Sequence, residues 1–264
     1  MDDAAAAPAP SPPQSTRLSH PAVTPARANK CIDRLPTLTA AQALAKQRAE
    51  EDVRVGVPGL DGLLGVRRGE VTEIYGAPGV GKRAFGLQFA VAALKRGEGV
   101  VWVDASHPLP GPRLEAVLSA SLATSTSEPP SQLSQSTPQP PTPSTLLKNL
   151  TTFTPPTLPH LLALLSHPLP PTTTLLILSY PSSLLPPTPP TPPRQKPTSN
   201  PITPLINSLR RLAATSHIAL LVLSQTVTQL QPHGPAALVP AIGGAAWEGG
   251  VAGRVVLWRE WGGR

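Results

Sequence analysis

The chain has 264 residues, of which 37 are proline and only 3% aromatic, so a packed core cannot run its full length. Its formal charge of +7 and isoelectric point near 10.2 favour contact with polyanions such as DNA or RNA. The single Cys31 excludes an intrachain disulfide, and no apolar run reaches membrane-spanning length.

The cations are scattered as pairs (Arg67 and Arg68, Lys95 and Arg96, Arg210 and Arg211) that also suit solvated helix ends and loops. A start containing Asp2 and Asp3 is neither a secretory signal nor a good transit peptide. The expectation is a soluble protein of the nucleus or cytosol, with no membrane partner.

Residues 1–35 are rich in Ala, Pro and Ser and read as a disordered tail. Residues 36–52 form a linker whose LTAAQALAKQRAEE has helical composition, and a globular core is expected over 53–264. In VGVPGLDGLLGVRRGE, Gly59, Gly62 and Gly65 mark turns. Next come a strand at Val71, Thr72, Ile74 and Tyr75, a glycine-rich loop, and a helix AFGLQFAVAALK stopped by Gly97 and Gly99.

VVWVDA (100–105) is a second strand and Arg113 to Leu122 a second helix. From Ala123 to about Thr157 a Ser/Thr/Pro-rich stretch reads as a mobile insertion whose apolar cluster is Leu146, Leu147, Leu150 and Phe153. A helix entered through Pro159 and a strand TLLILSY (174–180) follow, then a second proline-rich insertion over 181–203. Within Pro108 to Pro204 lie 25 prolines, which have no N–H for helix or sheet ladders.

A helix capped by Thr203, with Pro204 in its first turn, places Leu205, Leu209 and Leu212 on one face and Arg210 and Arg211 toward the other. IALLVLSQ (218–225) and RVVLW (254–258) complete five strands, with a loop between them to about Gly244. Strands alternating with helices imply an α/β fold with a mainly parallel sheet covered on both faces.

The loop carries the chemistry. GxxxxGK[ST] is met from Gly76 through Ala77, Pro78, Gly79, Val80 and Gly81 to Lys82. Backbone N–H groups of such a turn form an anion nest, the next helix presents its positive end, and Lys82 adds charge for the β and γ phosphates. The following position, where a hydroxyl should ligate Mg²⁺, is Arg83. At about 4 Å and an effective dielectric near 20 a unit charge and a divalent cation repel by roughly 8 kcal/mol, a ceiling that falls if Arg83 swings away or pairs with a phosphate. Weak, Mg²⁺-independent nucleotide binding is expected.

In order along the chain, GLDGLLG (59–65), GEVTEIYGAPGVGK (69–82), VVWVDASHPLPGPRL (100–114), LLILS (175–179), LVLSQ (221–225) and PAIGGAAWEGGVAGRVVLWR (240–259) resemble the RecA-like recombinase core, particularly the eukaryotic DNA-repair recombinase paralogues. The resemblance implies a RecA-like P-loop NTPase fold with ATP as its ligand. It also implies that Ser106 stands where a glutamate activates water, that Ser179 stands where an aspartate holds the Mg²⁺ shell, and that Gln225 matches the glutamine sensing the γ phosphate. Hydrolysis should therefore be degraded and Mg²⁺ unsupported, with Asp104 the one carboxylate left to stand in.

The family also implies partners: another paralogue, the main recombinase, and single-stranded DNA in the nucleus. Leu38 to Ala41 (LTAA) occupies the place of an FxxA-like polymerisation peptide, and equally reads as a helix start capped by Thr39. The DNA-facing loops correspond to 181–203, with Arg194 and Lys196 as cations, and 226–242, with only neutral His233, so DNA affinity through them should be modest. Trp247, Trp258 and Trp261 suit either base stacking or a core. Two rival readings stay open, an active DNA-dependent ATPase and a proline-rich adaptor using PPTPPTPPRQKP (186–197). Family members usually continue past the strand at 254–258, which leaves the completeness of the C-terminus open.

Overall fold

The computed structural model describes residues 39–42, 44, 52–61, 64, 66–125, 142–186, 201–230 and 234–260. The expected tail, Leu38, Arg194, Lys196, His233, Trp261 and most of the proline tract at 186–197 lie outside the described residues. The chain divides into two compact units, Met1–Leu44 and Ala45–Arg264.

In the first unit, Thr39 N–H donates to Gln42 Oε1 at 3.0 Å and Gln42 N–H donates to Thr39 Oγ1 at 3.2 Å. This reciprocal capping box satisfies two donors that a helix start otherwise leaves unpaired. Thr39 is a cap, as one of the two readings of LTAA had it, and Ala41 is exposed.

The second unit is built on one seven-stranded sheet. In chain order the elements are α1 (Pro58–Asp61), β1 (Val71–Gly76), α2 (Lys82–Lys95), β2 (Gly99–Asp104), α3 (Gly111–Ser125), α4 (Pro143–Leu147) and β3 (Leu150–Phe153). They continue with α5 (Leu158–Ser166), β4 (Thr173–Ser179), a 3-10 turn (Pro181–Leu184), α6 (Ile202–Ser216), β5 (Ala219–Gln229), β6 (Ala237–Pro240), α7 (Ala245–Glu248) and β7 (Gly253–Leu257). The spatial order is β3-β2-β4-β5-β1-β7, all parallel, with β6 added antiparallel to β5.

Because the strands are buried on both sides, their side chains divide by period two between two cores. Ile74, Val100, Trp102, Leu175, Ile177, Leu221 and Leu223 face α2, α3 and α4. Val71, Val101, Val103, Leu176, Leu178, Leu220 and Val222 face α5, α6 and α7. Each fully buried Leu, Ile or Val contributes about 1.5–3 kcal/mol relative to exposure. On α2, Gly86 lets the helix settle onto the sheet, since a Cβ there would meet Leu223 Cδ1 at 2.9 Å and the Trp102 ring at 3.1 Å.

The structure departs from the expected elements in four places. The interval 142–157, read as part of a mobile insertion, holds α4 and β3, and β3 pairs with β2 from Val100↔Leu150 to Val103↔Phe153. Prolines at 143, 155 and 156 sit at the edges of these elements, where no ladder N–H is needed, so they did not forbid them. Residues 181–186 and 201–203 of the second expected insertion form the 3-10 turn, whose Pro181 is buried, and the start of α6. That helix begins at Ile202 after Pro201, two residues earlier than a Thr203 cap allows. Finally, β5 runs on to Gln229 and doubles back as β6, an antiparallel ribbon in what was read as a loop.

At the N-terminal ends of the strands, Glu98 collects Arg68 Nη2 at 3.0 Å, Arg96 Nε at 3.0 Å and the Thr174 hydroxyl at 2.8 Å. Burial alone would raise its pKa, but the hydrogen bonds from Arg96 and Thr174 and the charges of Arg96 and Arg68 bring it below the usual carboxylate value. A depressed pKa stabilises the fold above the unfolded value near 4.5 and is lost as pH falls through the lower folded value. Glu98→Gln is expected to cost about 1–3 kcal/mol at neutral pH. In urea melts repeated at falling pH, its deficit should close below the ordinary glutamate range.

Candidate nucleotide-binding site

The loop leaves β1 at Gly76, where a Cβ would overlap the Leu257 carbonyl on the neighbouring strand, so only glycine fits. Gly79 and Gly81 take left-handed φ values of 82° and 103°, and α2 starts immediately at Lys82. The frame expected of an anion nest is thus present: strand, tight glycine turn, helix N-terminus. Gln225 on β5 is the register partner of Gly76, which puts it beside the loop.

Lys82 is buried, and its Nζ donates to the carbonyls of Gly76 and Ala77, each at 2.8 Å. Burial pushes its pKa below the usual lysine value. The ammonium also lies 5.9 Å from the centre of the Tyr180 ring. Tyr180 has φ 54°, a left-handed conformation that costs a bulky side chain roughly 1–2 kcal/mol. No sequence signal marked this residue.

Arg83 reaches across to the end of β2 and the residues after it. Its Nη2 donates to Asp104 Oδ2 at 2.6 Å, to the His107 carbonyl at 3.0 Å and to the Pro108 carbonyl at 3.2 Å. Asp104 Oδ1 meanwhile accepts the backbone N–H groups of Ser106 at 3.2 Å and His107 at 3.1 Å, and Trp102 Nε1 approaches Oδ2 at 3.4 Å. Both oxygens of this carboxylate, in a side chain only 2% exposed, are thus engaged by donors.

Against the flank of the loop opens a cavity of about 620 Å³ lined by Tyr75, the loop backbone from Gly76 to Val80, Thr226, Leu238, Val256 and Trp258. Leu238 reaches it from β6, the ribbon strand that periodicity had not revealed. Trp258 is exposed and Trp247 fully buried, so of the tryptophans weighed for base stacking Trp247 is a core residue.

Comparison with known proteins bears on the same segment. A family model described as ATPase: KaiC matches residues 53–108. The DNA repair protein rhp55 of Schizosaccharomyces pombe is 42% identical over 57 residues, covering 22% of this chain and 16% of that protein. The DNA repair and recombination protein RadB of Methanobrevibacter smithii is 50% identical over 48 residues, 17% of this chain and 20% of its own length. The ordered motifs, the parallel sheet and these local identities agree.

Over residues 53–108 the chain is similar to a KaiC-type ATPase, and locally to two DNA repair proteins.

A crystal structure of the RadB recombinase aligns with TM-score 0.46 at 20% identity, covering 66% of this chain and 70% of that one. The matched segments span only a sixth to a fifth of the two curated relatives.

The positions that the resemblance assigns to metal or water lie close in the sheet. Ser179 ends β4 and is in register with Asp104 on β2 and Leu223 on β5. Its hydroxyl is buried with no hydrogen-bond partner among the described residues. Ser106 follows β2 and shares a 2.8 Å hydrogen bond with His107 Nδ1. The residues present do not fit Mg²⁺, because the residue after Lys82 is a guanidinium, Ser106 and Ser179 offer hydroxyls rather than carboxylates, and the Asp104 carboxylate is paired with Arg83. They do fit a nucleotide's phosphates, for which the left-handed glycines, the helix start and Lys82 are in place.

The strand that carries the loop is anchored by a buried charge. Glu73, fully buried in mid-β1, accepts from Trp247 Nε1 at 3.1 Å and from Arg254 Nε at 2.8 Å, while its Oε1 has no partner. Arg254 also lies 5.2 Å over the Tyr75 ring and 3.6 Å from Glu248. This network ties β1 to α7 and β7.

Proposed function

We propose that this chain is a nucleotide-binding, hydrolysis-poor recombinase paralogue. It pairs with another paralogue and helps to assemble or stabilise the main recombinase on single-stranded DNA during homologous recombination repair in the nucleus. The observation that carries the reading is the 2.6 Å Arg83–Asp104 ion pair: the residue after Lys82 carries a positive charge in place of a hydroxyl and occupies the Asp104 carboxylate. ATP is the ligand proposed for Lys82, the loop amides and Gln225, and the neighbouring cavity offers Tyr75, Val256 and Trp258 to a base. Bound ATP supplies negative charge to the nest and stabilises the fold by mass action, while Lys82 and the α2 terminus orient it.

Support for the recombination role comes from the relatives, whose names are those of DNA repair proteins. The ribbon in the second DNA-facing region exposes Val227, Leu230 and Leu238 rather than cations, which agrees with modest DNA contact there. Ala41 and Leu38 remain the proposed contact to a neighbouring subunit. Retention of paralogue pairing by Leu38→Glu in a pull-down would remove that interface.

The test is a titration of the purified chain with a fluorescent ATP analogue, in Mg²⁺ and in EDTA. Affinity should be weak and nearly equal in the two buffers, and Lys82→Ala should abolish it. Tight binding that collapses in EDTA would refute the proposal. Raising the pH should weaken binding before the ordinary lysine range near 10.5 is reached, because burial lowers the Lys82 pKa and neutral Lys82 no longer attracts phosphate.

A further inference from the structure

Besides Lys82 and Arg83 of the loop, three basic pairs run along the chain, and the fold treats them differently. Arg67 pairs with Asp52 at 3.5 Å and Arg68 with Glu98 at 3.0 Å. Lys95 donates to Ser121, and Arg96 pairs with Glu98 at 3.0 Å. Neither Arg210 nor Arg211 makes an ion pair with a described residue. Their helix, ITPLINSLRRLAATS, contains no Asp or Glu to balance them.

These two arginines border a groove of about 480 Å³ at the start of β1, the opposite end of that strand from the nucleotide loop. Asn207, Arg210, Arg211 and Ala214 follow i, i+3, i+4, i+7 spacing and so form one stripe of α6, opposite the buried Leu205, Leu209 and Leu212. The facing wall is backbone-rich, Gly249 to Ala252. Gly250 is required there because a Cβ would collide with Ile206. Glu70 also borders the groove, leaving two cations to one carboxylate.

We propose that this stripe is a second nucleic-acid contact, holding the phosphate backbone of a single strand at the end of the sheet remote from the nucleotide loop. Two guanidiniums one residue apart on a helix, with an amide one turn before them, suit phosphate oxygens, and the glycine wall leaves room for the strand. A protein partner would want an apolar anchor. The groove offers no large exposed one: Val71 is buried and Val251 half-buried, and the exposed side chains of its lining are Asn207, the two arginines, Ala214 and Ala252. The proposal rests on the DNA-directed reading above and moves part of the contact away from the two loops.

The experiment is fluorescence anisotropy of a labelled oligothymidylate with the full chain, over a salt series, for the parent and Arg210→Gln with Arg211→Gln. Each cation on single-stranded DNA adds about 0.7 to the slope of log affinity against log salt. The double variant should therefore lose about 1.4 from the slope and several-fold in affinity at low salt. The double lysine variant should keep the slope, since charge carries it. Unchanged slope and affinity in the glutamine variant would overturn the proposal, as would a groove that binds polyglutamate through these arginines and no oligonucleotide. Binding of the fluorescent ATP analogue is the separate readout: it should be the same in both variants, and its absence from the parent would count against the nucleotide site alone.

Discussion

Purified protein is expected to turn over ATP about 10²–10⁴-fold more slowly than a P-loop ATPase with an intact general base, with or without DNA. The reason is cumulative. Ser106 offers a hydroxyl rather than a carboxylate to activate water, Ser179 offers a buried hydroxyl, and Asp104 is held by Arg83 and two backbone N–H groups. Ser106→Glu alone should not restore turnover, because Arg83 still holds a charge against the metal. The combination Arg83→Thr, Ser106→Glu and Ser179→Asp should gain Mg²⁺-dependent hydrolysis. Thermal melts must accompany it, since freeing Asp104 from Arg83 leaves a buried carboxylate less well paired. Turnover by the parent chain at the rate of an intact recombinase, abolished by Lys82→Ala, would sink the degenerate-site reading.

Arg254→Ala should destabilise the fold by roughly 3–5 kcal/mol, because it strands the Glu73 carboxylate in the interior with only Trp247 Nε1 as donor. For a domain of this size that is a fall in Tm of about 10 °C or more. The informative comparison is Glu73→Gln with Arg254→Met, which removes both charges and should recover most of the loss. If Arg254→Ala melts within a degree or two of the parent, the network is not an anchor of β1. Glu73 lies three residues before Gly76, so loosening it should also weaken nucleotide binding.

Much of the site was legible because its parts are contiguous. Gly76 to Lys82 needs a fixed spacing of glycine and lysine, and the flanking strand and helix announce themselves by composition. Buried runs such as VVWVD and LLILS were equally plain, since a parallel strand covered on both faces is apolar throughout. The failures have a shared cause. Residues 150–153, LTTF, and 237–240, ALVP, are short strands in proline-rich surroundings, and their pairing with β2 and β5 is a long-range event that local propensity does not encode. The role of Asp104 was hidden for the same reason: its partner Arg83 is 21 residues away and meets it only once α2 packs on the sheet.

Sequence alone determined the chemistry available: a phosphate-loop spacing of glycines and Lys82, and a guanidinium at the next position. Those are statements about residue identity at set spacing, and spacing within one turn or strand survives any arrangement of the rest. Only the tertiary structure decided where each charge is spent. It directs Arg83 onto Asp104, Lys82 onto its own loop, and Arg254 onto a buried glutamate, and it leaves Arg210 and Arg211 facing a groove. Coulomb energy depends on distance and burial, and neither exists until the helices have packed against the sheet.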